Sequence, residues 1–385
     1  GASNTAVGKY ALVANTTGTE NVAVGSGALD LNTTASNNTA VGSQSLGANT
    51  TGGSNVAVGL ASLAANTTAS ENTALGFASL NLNTTGASNT ATGFFALGAN
   101  TTGANNVADG YKALLSNTTA SNNTAQGYFA LSANTTGASN VAIGALALDA
   151  NTTADNNTAV GKSALGSNTT ASGNVALGYE AMRDSTTAAN ATAIGYQALA
   201  LNTTSNGNHA FGFRALKACT TGSGNTGVGG LVLTLVTTGT NNTAVGTSAL
   251  GANTTASNNT AVGHQALGSN TTGTQNVAIG SGASDANTTG SFNTSLGDGA
   301  LGSDTQGGRS VALGYRALET QNFTGATDAY NVAIGFTAGN AITTGPRNTL
   351  IGGSAGASIT TGDNNTCFGY NSGVATTTLT TGYQN

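Results

Sequence analysis

The stretch Asn38-Thr39-Ala40-Val41-Gly42-Ser43-Gln44-Ser45-Leu46-Gly47-Ala48-Asn49-Thr50-Thr51-Gly52-Gly53-Ser54 is followed at once by Asn55-Val56-Ala57-Val58-Gly59. The second run restarts the first after 17 residues. Working outward, the same start stands at Asn21 and Asn4 on one side and at Asn72 and Asn89 on the other. The phase holds without a gap from Asn4 to Ser310, resumes after a four-residue insertion at Asn331, and continues through Asn348 and Asn365. That makes 22 units, with a second insertion near Thr378 and a further unit opening at Asn385. Self-similarity at a fixed period governs the fold, so it takes precedence over every local signal.

Numbered 1 to 17, the unit is N-[TV]-A-[VIL]-G-x-x-A-L-x-x-N-T-T-[GA]-x-x. Position 5 is Gly in all 22 units, position 3 is Ala in 18 and position 9 is Leu in 17, whereas 6–7, 10–11 and 16–17 accept every residue class. The uniform places read as inside or as corners, and the variable pairs as outside. A unit of two helices needs about 33 residues or more, so 17 suits a single coil of β-solenoid. The recurring Gly also argues against helix.

At Gly8, Gly25, Gly42 and Gly59 the sequence places a structural corner, where glycine supplies positive φ or the absence of a Cβ. Asn-Thr-Thr-Gly at 12–15 reads as a second corner with Asn in the left-handed region. Between them lie two short apolar pieces, positions 1–4 and 8–11. The expected fold is all-β: a β-roll or β-helix of parallel, in-register strands stacked about 4.8 Å apart, with positions 4 and 9 supplying the larger inward side chains. Residues 1–318 form the regular array, 319–330 an insertion, and 331–385 variant repeats of the same solenoid. In the variants Leu at position 9 gives way to Gly339, Gly356 and Gly373. If positions 2 and 4 point outward instead, they form an apolar stripe, and such stripes mark interfaces. Three-fold closure around the stripe gives a homotrimer; a lone or laterally packed solenoid is the other arrangement.

Composition agrees. Charged residues are 6% of the chain and the net charge is −5. Like charges repeated at strand spacing would repel, while Asn and Thr bond to their own copies in a ladder. The 9 Lys and Arg are scattered and form no basic stripe for nucleic acid. No apolar run is long enough to span a bilayer. The chain opens at Gly1 inside a repeat and reads as a segment of a longer protein.

The Ala-Val-Gly and Ala-Ile-Gly strands followed by Ala-Leu resemble the β-roll heads of trimeric autotransporter adhesins. The whole unit also looks like arrays in phage tail fibres and environmental surface proteins. The resemblance covers essentially the whole chain and implies an extracellular, cell-surface or virion fibre that assembles with itself. The period of 17 and the absence of a coiled-coil stalk and membrane anchor depart from the adhesins.

Candidates for chemistry are few. His209 and His264 stand alone, and Cys219 and Cys367 have no base beside them. Cys219, at position 12, is expected as an exposed or semi-exposed thiol, and Cys367, at position 3, as a small buried hydrophobe. No catalytic, cofactor or metal site is expected. Position 4 is apolar throughout except at Thr92, Asp109 and Gln126 in three successive units. These form a polar patch that is either partly exposed or encloses water or an ion. Asn15, Asn32, Asn49 and Asn66 begin Asn-x-Thr acceptor patterns, as do Asn37, Asn122, Asn156, Asn190 and Asn258. Glycan acceptors or a turn ladder of Asn and Thr are the two readings of the first set. Irregular aromatics at 6–7, such as Tyr111, Tyr128 and Phe129, either cover the solenoid edge or contact a glycan.

The function expected from all this is a non-enzymatic fibre or shaft segment. The alternative is an adhesin contacting a receptor or surface glycans, and a minor one is an ice-binding solenoid using threonine ladders.

Overall fold

The computed structural model describes residues 1–374; the expected insertion near Thr378 and the unit at Asn385 lie outside them. The chain divides into two compact units, Gly1–Ala191 and Thr192–Asn385. The first contains eleven three-residue strands, from Thr5–Val7 to Val175–Leu177. Each pairs parallel with the next at an offset of one repeat, as in Thr5↔Val22, Ala6↔Ala23 and Val7↔Val24. The second holds eleven more, from Thr192–Ile194 to Thr366–Phe368, in the same register. The insertion adds one short pairing, Gly307–Gly308 with Thr327–Asp328. The fold is therefore an all-β parallel solenoid of 17-residue coils, without a helix among the described residues.

Each coil carries one strand rather than two. Positions 8–11 are a chain of turns, not a second strand. The cause is backbone conformation. Positions 7, 9 and 17 take positive φ in nearly every coil, for instance Gln44 (60°), Leu46 (50°) and Asn37 (62°). Two left-handed residues separated by one cannot remain extended. The Asn of Asn-Thr-Thr, expected to be left-handed, is not among the positive-φ residues. Coils are nonetheless bonded to their neighbours outside the strand: Leu46 N donates to Ser62 O at 3.0 Å and Thr50 N to Thr67 O at 2.9 Å.

Gly at position 5 meets both demands that only glycine satisfies. Gly8 has φ 127°, and a Cβ there would lie 2.7 Å from the carbonyl oxygen of Gly25 in the next coil. Adjacent coils approach backbone to backbone at this corner, leaving no room for a side chain.

The core is built from small residues and one large one. Ala at positions 3 and 8 and Leu at position 9 are fully buried, as in Ala57 and Leu63. Position 4, expected to contribute the second large inward row, faces outward: along the strand only the middle residue points in, as the alternation of a strand requires. With Ala inward, the strand sheet lies close to the Leu column and no further volume remains to fill. Leu in the left-handed region costs about 1–2 kcal/mol. Full burial of its side chain contributes roughly 1.5–3 kcal/mol, so packing holds the backbone there.

Two asparagine columns complete the interior. In the second coil, Asn21 and Asn32 (positions 1 and 12) both donate Nδ2–H to the carbonyl of Ala35, at 2.8 and 3.1 Å. Each also reaches back one coil. Asn32 Nδ2 donates to Asn15 Oδ1 at 3.0 Å, and the Asn21 backbone N–H donates to Asn4 Oδ1 at 2.9 Å. The pattern repeats through Asn66 and Asn72 and beyond. Buried amides are tolerated because they are bonded, and here the bonds clamp each coil shut and tie it to the one before.

Candidate functional site

The outer surface follows from that interior. Positions 2 and 4 emerge from the strand, and positions 6 and 7 emerge beyond the glycine corner. In most coils position 4 is Val, Leu or Ile and at least partly exposed, most of all at residues such as Leu75 (48%) and Leu177 (46%). Position 2 adds Val56, Val107 and Val175 to the same face. The result in the first unit is an apolar stripe along the strand face.

Thr92, Asp109 and Gln126 interrupt that stripe. They are paired strand neighbours: Thr92↔Asp109 and Asp109↔Gln126. Thr92 is half-buried and the other two are exposed. The patch therefore lies on the surface and encloses nothing. Among the described residues none of these three side chains makes a hydrogen bond or ion pair. Replacing an apolar residue there by a polar one has brought the fold no compensating bond.

On the far side of the same glycines stands an aromatic column. Phe77, Phe94, Tyr111 and Tyr128, all at position 6, stack with centroids 5.2, 5.3 and 5.5 Å apart and interplanar angles of 14°, 4° and 14°. Position 7 adds two rings edge-on. Phe95 meets Phe94 at 4.8 Å and Phe129 meets Tyr128 at 4.7 Å. Lys112, between them in sequence, places Nζ 5.3 Å from the Tyr111 ring centroid and 5.5 Å from that of Phe129. The column rings remain exposed, from 40% at Phe94 to 55% at Tyr128. Shorter stacks occur in the second unit at Tyr196–Phe213 and Tyr315–Phe336, but there position 4 is apolar, as at Ile194 and Leu313.

The acceptor patterns separate by position. Asn32, Asn49 and Asn66 are fully buried, with their amide nitrogens committed within the columns. A glycan on any of them is incompatible with the coil. Asn15 is half-buried and donates Nδ2–H to Gly18 O at 3.1 Å. The Asn-Thr-Thr run is thus an internal ladder segment, and its local resemblance to a turn or a sequon gave no hint of burial. Asn37, Asn122, Asn156, Asn190 and Asn258, at position 17, are exposed.

Neither cysteine sits as expected. Cys219 is fully buried, because position 12 is a column and not a surface corner. Its thiol donates to Gly222 O at 3.1 Å, and burial pushes its pKa up to about 11, the opposite of an activated thiolate. Cys367 is only half-buried, packed at the edge of the cluster that contains Leu350 and Ile359. His209 is half-buried on its strand and His264 is exposed. Among the described residues no three His, Cys, Asp or Glu side chains gather as metal ligands.

The most buried carboxyl is one that sequence reading did not single out. Asp304 occupies position 12, where Asn is the rule, and is 1% exposed. It accepts from Gly307 N (2.9 Å), Phe323 N (3.1 Å) and Gln321 Nε2 (2.6 Å). Desolvation raises its pKa above the usual carboxylate value, with those hydrogen bonds opposing. Its column neighbour Asn287 keeps an unpartnered buried Oδ1, since a carboxylate has no N–H to offer where Asn would donate. A groove in the second unit is lined by Leu231, Leu235, Ser248, Gln265 and Asp285, with Asp285 its one titratable group. No protein-family model and no curated protein sequence matches the chain.

Proposed function

We propose that this chain is a structural segment of an extracellular or virion fibre, a scaffold that spaces or displays other elements rather than an enzyme. The observation that carries the reading is the equivalence of the coils. Most interior bonds made by one coil are repeated by the next, so stability accumulates as nearest-neighbour terms, as in other solenoids. The resemblance to adhesin β-rolls and tail-fibre arrays supports the same reading. The apolar strand face, with Val56, Leu75, Val107 and Leu177 exposed, supports lateral self-association, a trimer included, because contiguous apolar surface of this kind marks an interface.

Light scattering and electron microscopy of the purified chain test it. The expected result is a self-associated species and filaments of uniform width, with a fibre-diffraction spacing near ~4.8 Å along the axis. A folded chain that stays monomeric at high concentration and never forms filaments would sink the proposal. Ice binding has less support. At position 13 the hydroxyl is committed to the neighbouring coil, as when Thr33 Oγ1 donates to Thr50 O at 3.1 Å.

A further inference from the structure

We infer that coils five to eight of the first unit carry a binding strip for a neutral, extended polysaccharide of β-1,4-linked hexopyranoses, formed by Phe77, Phe94, Tyr111 and Tyr128 on one side of the glycine corner and Thr92, Asp109 and Gln126 on the other. This goes beyond the scaffold reading and can fail independently of it.

The first support is coincidence of position. Position 4 is polar in three of 22 coils, and all three have an aromatic residue at position 6. Gly93, Gly110 and Gly127 alone separate the two sets, so side chains of different chemistry flank one narrow corner on three successive coils. The second is availability. Thr92, Asp109 and Gln126 have no partner side chain among the described residues, while the interior amides of these coils are bonded. Donors and acceptors left free beside exposed ring edges suit a ligand that presents C–H and hydroxyl groups along one side, which is the chemistry of a pyranose.

The third is spacing. The rings repeat every 5.2–5.5 Å, close to the length of one sugar in an extended β-1,4-linked chain. Successive sugars of such a chain are turned over, so alternate sugars of a polysaccharide lying along the column would meet the same constellation. Because the rings hold one another by stacking and by the edge contacts of Phe95 and Phe129, they need little ordering on binding, which lowers its entropic cost. Charge selects a neutral ligand. Asp109 is the one charged residue of the strip, and the neighbouring Lys112, of opposite charge, lies over the Tyr111 and Phe129 rings.

The test is co-sedimentation of the full chain with cellulose and chitin particles, together with titration by cellohexaose and chitohexaose read by NMR. The triple variant Thr92→Val, Asp109→Val, Gln126→Val restores the residue found at position 4 in other coils and so keeps the fold. It should weaken binding about ten-fold, as expected for losing one or two net hydrogen bonds. Tyr111→Ser with Tyr128→Ser should weaken it at least as much, and Tyr196→Ser in the second unit should leave it unchanged. Absence of binding by the folded wild type to all four probes overturns the inference. So does binding that neither set of substitutions alters, or a triple variant that changes only the mass of the assembled species, which would make the strip a contact between copies.

Discussion

Coils 55–71 and 331–347 share the strand, the glycine corner and the buried Asn and Ala at positions 1 and 3, and differ in how positions 9 and 12 are filled. In the first, Leu63 occupies position 9 at φ 50°, fully buried, and Asn66 at position 12 donates to Asn49 Oδ1 and Ala69 O, both at 2.9 Å. In the second, position 9 is Gly339 at φ 60° and position 12 is Ile342, also fully buried. A Cβ on Gly339 would lie 2.7 Å from Leu350 Cδ1 and 3.0 Å from Leu318 Cδ2. The bulk that Leu supplies elsewhere has moved to Ile342 and to Leu350, which replaces Ala at position 3 of the following coil. What the coil requires is a left-handed residue at position 9 and a fixed inward volume. Which side chain provides the volume is open. The variant coil relieves the conformational cost of left-handed Leu and gives up one asparagine column in exchange.

The feature common to both kinds of coil should be the most sensitive. Gly42 has φ 138°, and a Cβ would come within 2.6 Å of Gly59 C; Gly352 in the variant region has φ 136°. Gly42→Ala is expected to cost at least about 3 kcal/mol from backbone strain and overpacking together. Amide exchange should localise the damage to adjoining coils, since a solenoid transmits stability only to its neighbours. Equal protection in wild type and variant would show that the corner tolerates a side chain.

The exchange of volume between positions 9 and 12 can be tested within a regular coil. Leu80→Gly alone should destabilise by roughly 2–4 kcal/mol, the loss of a buried Leu less the relief of left-handed strain. Adding Asn83→Ile should recover part of it, even though Asn66 Oδ1 then loses its donor. Chemical denaturation of the two single variants and the double gives the coupling directly. Additive losses would mean that the variant coils depend on Leu350 and not on the pair.

The smallest effect expected is on pH. Asp149, Asp285 and Asp304 all have pKa values raised by burial. A carboxyl raised on folding contributes stability that is fully present below its unfolded pKa, about 3.8, and is lost as pH rises through the folded value. The chain should therefore gain from these groups on acidification, whereas proteins with salt-bridged carboxylates lose. Thermal melts between pH 3 and pH 7 should show it, and Asp304→Asn should flatten the profile, since it removes one of these titrating carboxyls. A melting temperature that drops as the pH is lowered, in wild type and variant alike, would contradict this assignment.

Much of this was legible from one repeat. The period, the parallel register, the corner at Gly25 and Gly42 and the burial of Ala at 3 and 8 all follow from spacing and side-chain size. Three things did not. A three-residue strand such as Val56–Val58 does not reveal which face is inward, and here the larger residues point out because the Leu63 column already fills the coil. Leu at positive φ runs against its intrinsic preference, so positions 8–11 read as a strand. Asn-Thr-Thr has the local chemistry of a turn, and only the paired columns explain why Asn49 and Asn66 lie inside. Of the candidate strip, the residues were visible separately, but their convergence around Gly110 required knowing that position 4 is outside.

The asparagine columns also have a direction. Along the unbroken run of the position-12 column the amide nitrogen of the later coil donates to the amide oxygen of the earlier one, as from Asn49 to Asn32 and from Asn66 to Asn49. Any stack of such coils accordingly presents unspent N–H groups on one end face and unspent oxygens on the other. Two stacks can continue each other's columns head to tail, whereas like faces would set donor against donor or acceptor against acceptor. A filament grown by end addition would therefore be polar, with a single permitted sense of joining written into the side chains of its interior.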